Sequence, residues 1–214
     1  MSIGTYAELQ TAIGTWLHNS STYSALIPDW ITAAENRLND ELMLTAMQAQ
    51  TTLTCSTSTR FLDLPSRHNG PISLYLTISG VRIEVVNLTP QELAARLNTI
   101  AASQPRYFTI GSQLEFDCTP NSTYSLTYHY YKKLALATDL TNFLLTSNYK
   151  AYLYGALIEA YTYKEDDAKV QRYEALLQAE LDRLQENDNA NRSIIKTRVD
   201  SMLTGNRRGS ILLG

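Results

Sequence analysis

Between Tyr149 and Tyr163 the chain reads YKAYLYGALIEAYTY, with apolar side chains at Tyr149, Tyr152, Leu153, Ala156, Leu157 and Ala160. This is the i, i+3, i+4, i+7 spacing of a helix buried on one face. Ala151, Gly155, Ala156 and Ala160 run along it, so a second helix backbone can approach closely. Glycine inside a helix costs roughly 1 kcal/mol relative to alanine, and close packing is the usual structural return. The stretch predicts the central post of a helical bundle. Another long helix is predicted from about Asp166 to Glu186, with Val170, Tyr173, Leu176, Leu177, Leu181 and Leu184 on one face. Val170, Leu177 and Leu184 recur at heptad spacing, which suits packing along a neighbouring helix.

The N-terminal text is also helical. Thr5-Tyr6-Ala7-Glu8 is a capping box, in which hydroxyl and carboxylate each satisfy a backbone N–H of the other residue. The helix it opens is expected to bury Leu9, Ile13, Trp16 and Leu17 and to stop before Asn19-Ser20-Ser21. Pro28 suits the first turn of a following helix. Ile27, Trp30, Ile31, Ala34, Leu38 and Leu42 form its apolar face, and Glu35, Arg37, Asn39, Asp40 and Glu41 fall largely on the other.

From about Gln48 the period changes to two. Gln50–Cys55 is Thr-rich and alternating; Phe61–Leu64, Ile72–Ile78, Val81–Val86, Arg106–Ile110, Gln113–Phe116 and Ser122–Tyr131 follow as short strand-like runs. Ser79-Gly80 is the clearest hairpin signal. Thr89-Pro90-Gln91-Glu92 opens a short helix with a second capping box. The pattern predicts an α+β fold: a helical bundle of N- and C-terminal helices with an inserted antiparallel β-sheet or small barrel. The segments are 1–48 (helical hairpin), 49–133 (β insert), 134–189 (C-terminal helices) and 190–214 (an extended, flexible arm).

Charge sharpens this picture. The chain carries a net −3, yet the tail from Asn191 holds Arg192, Lys196, Arg198, Arg207 and Arg208 against one acid, Asp200. The tail is therefore +4 and the body −7, the opposite of a body that binds nucleic acid over its surface. Fourteen tyrosines against four phenylalanines suit half-exposed packing and protein–protein contact. Cys55 and Cys118 lie far apart without a CxxC pair, which reads as buried free thiols in a reducing cytoplasm. Neither a signal peptide nor an apolar run near the ~20 residues of a membrane span is evident.

Candidate chemistry is sparse. His18, His68 and His129 have no partner at metal spacing. Glu115 and Asp117 could share one strand face as a glycosidase pair, or form a solvated edge. Asp166-Asp167 sits where acids complement a helix N-terminus. GxSxG, P-loop and GxGxxG patterns are missing from the sequence, so catalysis, cofactor and metal are not expected. Tyr128, Tyr130, Tyr131 and Lys132-Lys133 resemble a base-stacking strip, but strand alternation separates Tyr131 from the other two. The closing Ile211-Leu212-Leu213 after a basic linker suits a segment that docks into a groove on a partner.

Several motifs, in order, resemble those of the head-to-tail adaptor (connector, head-completion) proteins of tailed bacteriophages. They are Ile27-Pro28-Asp29-Trp30-Ile31 running into Ala34–Asn39, Pro105–Ile110 after the Thr-Pro-Gln-opened helix, and Tyr130-Tyr131-Lys132-Lys133-Leu134. Asn142–Leu145 and Tyr152–Leu157 complete them, over nearly residues 5 to 187. The resemblance implies a structural virion protein at the head–tail interface, resident in the host cytoplasm before assembly. It implies a ring, typically of twelve, that binds the portal protein, carries a tail or nozzle protein, and lets genomic DNA pass through its lumen without sequence recognition. It also implies no membrane partner and no cofactor. By position it assigns portal binding to the arm: Arg192, Lys196, Arg198, Arg207, Arg208, Ile211, Leu212 and Leu213. A virion-associated cell-wall hydrolase and a non-viral interaction module are the alternatives.

Overall fold

The computed structural model describes residues 3–18 and 20–204, with side chains described except at 20, 21, 98–100 and 193–204. In chain order, α1 (Tyr6–Trp16), α2 (Ser20–Tyr23) and α3 (Ile27–Glu41) come first, followed by a 3-10 turn at Thr45–Met47. Strands β1 (Gln48–Thr54), β2 (Phe61–Asp63), β3 (His68–Ile78) and β4 (Val81–Asn87) lead to α4 (Pro90–Arg96). Next come β5 (Asn98–Ser103), β6 (Tyr107–Ile110), β7 (Gln113–Phe116), β8 (Cys118–Pro120) and β9 (Ser125–Lys132). Helices α5 (Leu136–Asp139), α6 (Phe143–Tyr163) and α7 (Asp167–Thr204) follow. The fold is α+β, as the patterning predicts. Two compact units result: one from the chain up to Ala46 together with that from Ala135 onward, the other from Met47–Leu134.

In the helical unit both halves of the first capping box form. Thr5 Oγ1 accepts from the Glu8 amide at 3.3 Å, and Glu8 Oε2 accepts from the Gly4 and Thr5 amides at 2.8 and 3.1 Å. Leu9, Ile13 and Leu17 are buried, but Trp16 is 43% exposed and packs edge-on to Tyr154. Along α3 the apolar face is buried as expected. Glu35 and Asn39, expected on the polar face, are buried too, at 8% and 4% exposure. A ~100° core stripe takes in whichever residues flank it, and here two of those are polar.

The stretch Tyr149–Tyr163 is the buried heart of this unit, with Ala151, Tyr152, Leu153, Gly155, Ala156, Leu157 and Ala160 at its centre. It is set off from the first turn of α6 by Asn148, whose φ of −151° and ψ of 62° break the helix. Along α7, Tyr173, Leu177 and Leu181 are buried while Leu176 is 37% exposed, so the core seam follows i, i+4, i+8. Heptad-spaced Val170 and Leu184 are half-buried on either side of it.

The β unit is a seven-stranded sheet of order β1-β9-β3-β4-β6-β7-β2, with β5 and β8 as a separate pair. Its core gathers Leu74, Leu76, Val85, Phe108, Leu114, Phe116, Leu126 and Tyr128. Ser79 and Gly80 both have positive φ, 49° and 81°, as a primed hairpin turn requires. The sheet is not antiparallel throughout. Strands β4 and β6 pair in parallel at Val86↔Tyr107 and Asn87↔Phe108, as do β5 and β8. Helix α4, capped by Thr89 and Glu92, lies between β4 and β6 and allows the chain to return in the same direction.

Candidate assembly interface

The C-terminal arm was expected to be extended from residue 190, yet α7 continues as one helix to Thr204. The Asn- and Asp-rich text after Glu186 lowers helix propensity by only tenths of a kcal/mol per residue, about 0.7 at most. Between Asp167 and Thr204 there is no glycine or proline to stop the helix. At ~1.5 Å per residue, α7 is about 57 Å long.

Arg192 lies on this helix with its guanidinium already engaged. Nη2 pairs with Asp188 Oδ2 at 2.7 Å and donates to Met43 O at 3.1 Å, and Nε donates to Thr45 Oγ1 at 2.9 Å. Lys196 and Arg198 fall on the helical backbone where side chains are not described. Arg207, Arg208, Ile211, Leu212 and Leu213 lie outside the described residues. The structure therefore brings together Arg192 with Asp188, Met43 and Thr45.

The remaining chemistry-bearing residues are used structurally. Glu115 accepts from Arg60 Nε at 3.1 Å, and Asp117 Oδ1 accepts from the Arg106 and Tyr107 amides. Asp166 caps α7, accepting from the Lys169 amide and pairing with its ammonium at 2.8 Å. The two cysteines are free and buried; Cys118 Sγ donates to Ser103 O at 3.4 Å. His129 meets Tyr75 edge-on, and the His18 amide donates to Thr15 O at the end of α1. Among the described residues no group of His, Cys, Asp and Glu is placed to hold a metal.

The aromatic strip is core. Tyr128 and Tyr130 stack at 5.5 Å and are buried, with His68 stacked on both and its Nε2 hydrogen-bonded to the Tyr128 hydroxyl at 2.7 Å. Burial, with the nearby Lys133 charge, lowers the His68 pKa below its usual value. Burial raises that of the Tyr128 hydroxyl well above the ordinary range. Both shifts favour the neutral pair. The His68 contribution is complete above the unfolded imidazole pKa of about 6.5 and is lost as pH falls through the lower folded value. The Tyr128 contribution is complete below about pH 10 and is lost as pH rises further. Thermal melting across pH should thus weaken at both ends, and His68→Gln should flatten the acid limb; an unchanged acid limb would remove His68 as its source.

Sequence reasoning missed two features, an aromatic ribbon that is largely buried and a strand with exposed apolar side chains. An aromatic ribbon runs across the helical unit, where Trp16 and Tyr154 meet Tyr173, Tyr173 stacks on Tyr161 at 5.5 Å, and Tyr23, Trp30 and Tyr163 form a second cluster. Lys164 lies 5.5 Å from the rings of both Tyr23 and Tyr161, and Tyr163 is 61% exposed. On the β unit, Val81, Ile83 and Val86 are exposed on β4, beside the exposed Arg82 and Glu84. The high tyrosine count hinted at the first; β4 gave no cue, because its pattern is that of any central strand.

In both folded units the polar residues described above serve caps, ladders and packing, and some apolar and aromatic side chains remain at the surface. The SU10 adaptor protein family model matches residues 4–198, and the chain belongs to that family, whose members are structural adaptors of phage virions. No curated protein matches the sequence. Among the described residues, no helix is long and apolar enough to cross a membrane.

Proposed function

We propose that this adaptor assembles as a ring of twelve copies beneath the portal, extends the DNA channel, and presents the platform to which a tail or nozzle protein attaches. The observation that carries the reading is the family match over residues 4–198, which takes in both folded units and most of α7. Exposed Val81, Ile83 and Val86 on one unit and Trp16 and Tyr163 on the other suit burial against neighbouring subunits. The acidic body suits a lumen through which genomic DNA slides without sequence recognition, because like charge lowers non-specific affinity. The subunit waits in the host cytoplasm and ends at the head–tail interface of the virion.

Portal docking falls to the end of α7 and the residues after it: Lys196, Arg198, Arg207 and Arg208 supply charge, and Ile211, Leu212 and Leu213 supply apolar anchors. Each dock is weak, and repetition around a ring makes them collectively tight. Arg192 stands at the base of this segment. Deleting residues 193–214 should leave a folded protein that no longer joins portal-containing particles in a sedimentation assay. Normal incorporation of the truncated chain would refute the docking role.

A further inference from the structure

We propose that Arg192, Asp188 and Thr45 form a clamp that aims the last third of α7, making Arg192 a positioning residue for portal docking and not itself a portal contact. The inference rests on the portal reading above and refines it.

Helix α3 ends at Glu41, and a helix end leaves carbonyls that need donors. Two side chains of α7 reach back to that region: Gln185 Nε2 donates to Glu41 O at 3.4 Å, and Arg192 Nη2 to Met43 O at 3.1 Å. Asp188 closes the set, accepting from the Thr45 amide at 2.9 Å with one oxygen and from Arg192 at 2.7 Å with the other. The Arg192 Nε bond to Thr45 Oγ1, at 2.9 Å, completes a loop of contacts between segment 43–45 and α7. The rigid guanidinium fork thus serves three acceptors from two nitrogens, Nε and Nη2, a spread that the single nitrogen of a lysine does not match.

Position makes these contacts matter. Leu181 is the last buried apolar residue of α7 among those described, and Leu184 is only half-buried. Past Leu184 the heading of the helix is held by this polar set. An ion pair whose arginine is 44% exposed adds little to stability, so the clamp is not explained as ballast for the fold. Its effect is geometric. Thr204 lies twelve residues beyond Arg192, so a swing of about 20° at the clamp moves the helix end by about 6 Å at ~1.5 Å rise per residue. Docking segments repeated around a ring engage together only when each points at its own groove.

The test uses the full-length chain and portal rings purified from the same phage, with capture read by surface plasmon resonance. Asp188→Ala and Thr45→Val, neither removing a cation, should each weaken capture by about tenfold through lost simultaneous engagement, and Arg192→Lys should behave like them. Melting temperatures should stay within about 4 °C of wild type. Amide exchange at Thr45 should quicken in Asp188→Ala, reporting the opened clamp directly. If Arg192→Ala weakens capture while Asp188→Ala and Thr45→Val leave it equal or stronger, Arg192 touches the portal and the clamp is overturned. A chain lacking residues 193–214 that is still captured at wild-type strength overturns the portal reading itself, independently of the clamp variants.

Discussion

Replacing Glu35 by alanine should lower the unfolding free energy of the helical unit by about 3 kcal/mol, the loss expected when two buried donors are left unpaired. Glu35 Oε1 accepts from the Leu136 amide and from the Tyr152 hydroxyl, each at 2.7 Å. The Tyr152 hydroxyl in turn accepts from Asn142 Nδ2 at 2.8 Å, and Asn142 Oδ1 caps α6 by accepting from the Leu145 amide. One carboxylate therefore ties α3 to the first residue of α5 and to the middle of α6. Burial, followed by the Glu35 charge, raises the Tyr152 pKa well above the ordinary phenol range, so the hydroxyl remains a donor. Glu35→Gln retains an acceptor oxygen and loses the charge-assisted part of each bond, which costs about 1–2 kcal/mol. Tyr152→Phe should cost less in the Glu35→Ala background than in wild type, because the two share one bond. Urea unfolding of the four chains checks this. A Glu35→Ala midpoint no lower than that of the exposed Glu41→Ala would show that the network is not a support.

That network also marks where the sequence stops being readable. Thr5 with Glu8, Thr89 with Glu92, and Ser79-Gly80 were legible because each acts within four residues, where local chemistry decides the backbone. The stretch Tyr149–Tyr163 was legible from its own apolar period, whereas the break at Asn148 just before it carried no signal in the pattern. Glu35 reads as a surface residue because its partners lie at Leu136 and Tyr152, about a hundred residues away, and nothing in a local window distinguishes a buried carboxylate from a solvated one. The parallel β4–β6 pairing has the same origin. Its two ladder positions depend on the course of the chain through α4 and β5, not on the strands themselves. Helix α7 outruns its apolar pattern because apolar periodicity reports what is buried, and from Gln185 to Arg192 the chain is helical with no buried side chain. For the candidate site, charge and apolar content pointed to the C-terminal segment, but only coordinates could show Arg192 turned back onto its own subunit.

The close approach that the small residues of α6 predict has a measurable consequence at Gly155. A Cβ built on Gly155 would sit 2.8 Å from the Ala34 Cβ of α3, and 3.6 Å from its Cα. Carbon atoms settle at about 3.5–4.0 Å, so the two helices must part or the backbone must shift. Ala34 has no longer side chain that could swing aside. Alanine at 155 gains roughly 1 kcal/mol in helix propensity over glycine, and overpacking a close-packed seam costs about 1–3 kcal/mol. The steric effect should win, leaving Gly155→Ala less stable by up to about 2 kcal/mol once the ~1 kcal/mol propensity gain is set against it. Removing the opposing methyl reverses the sign. With Ala34→Gly in place the nearest Ala34 atom is the Cα, at ordinary contact distance, and alanine at 155 should then stabilise. The double-mutant cycle should show a coupling of about 2 kcal/mol, within the range for residues in direct contact. Additive behaviour of Gly155→Ala and Ala34→Gly would mean that the α3–α6 seam is looser than the 2.8 Å approach requires.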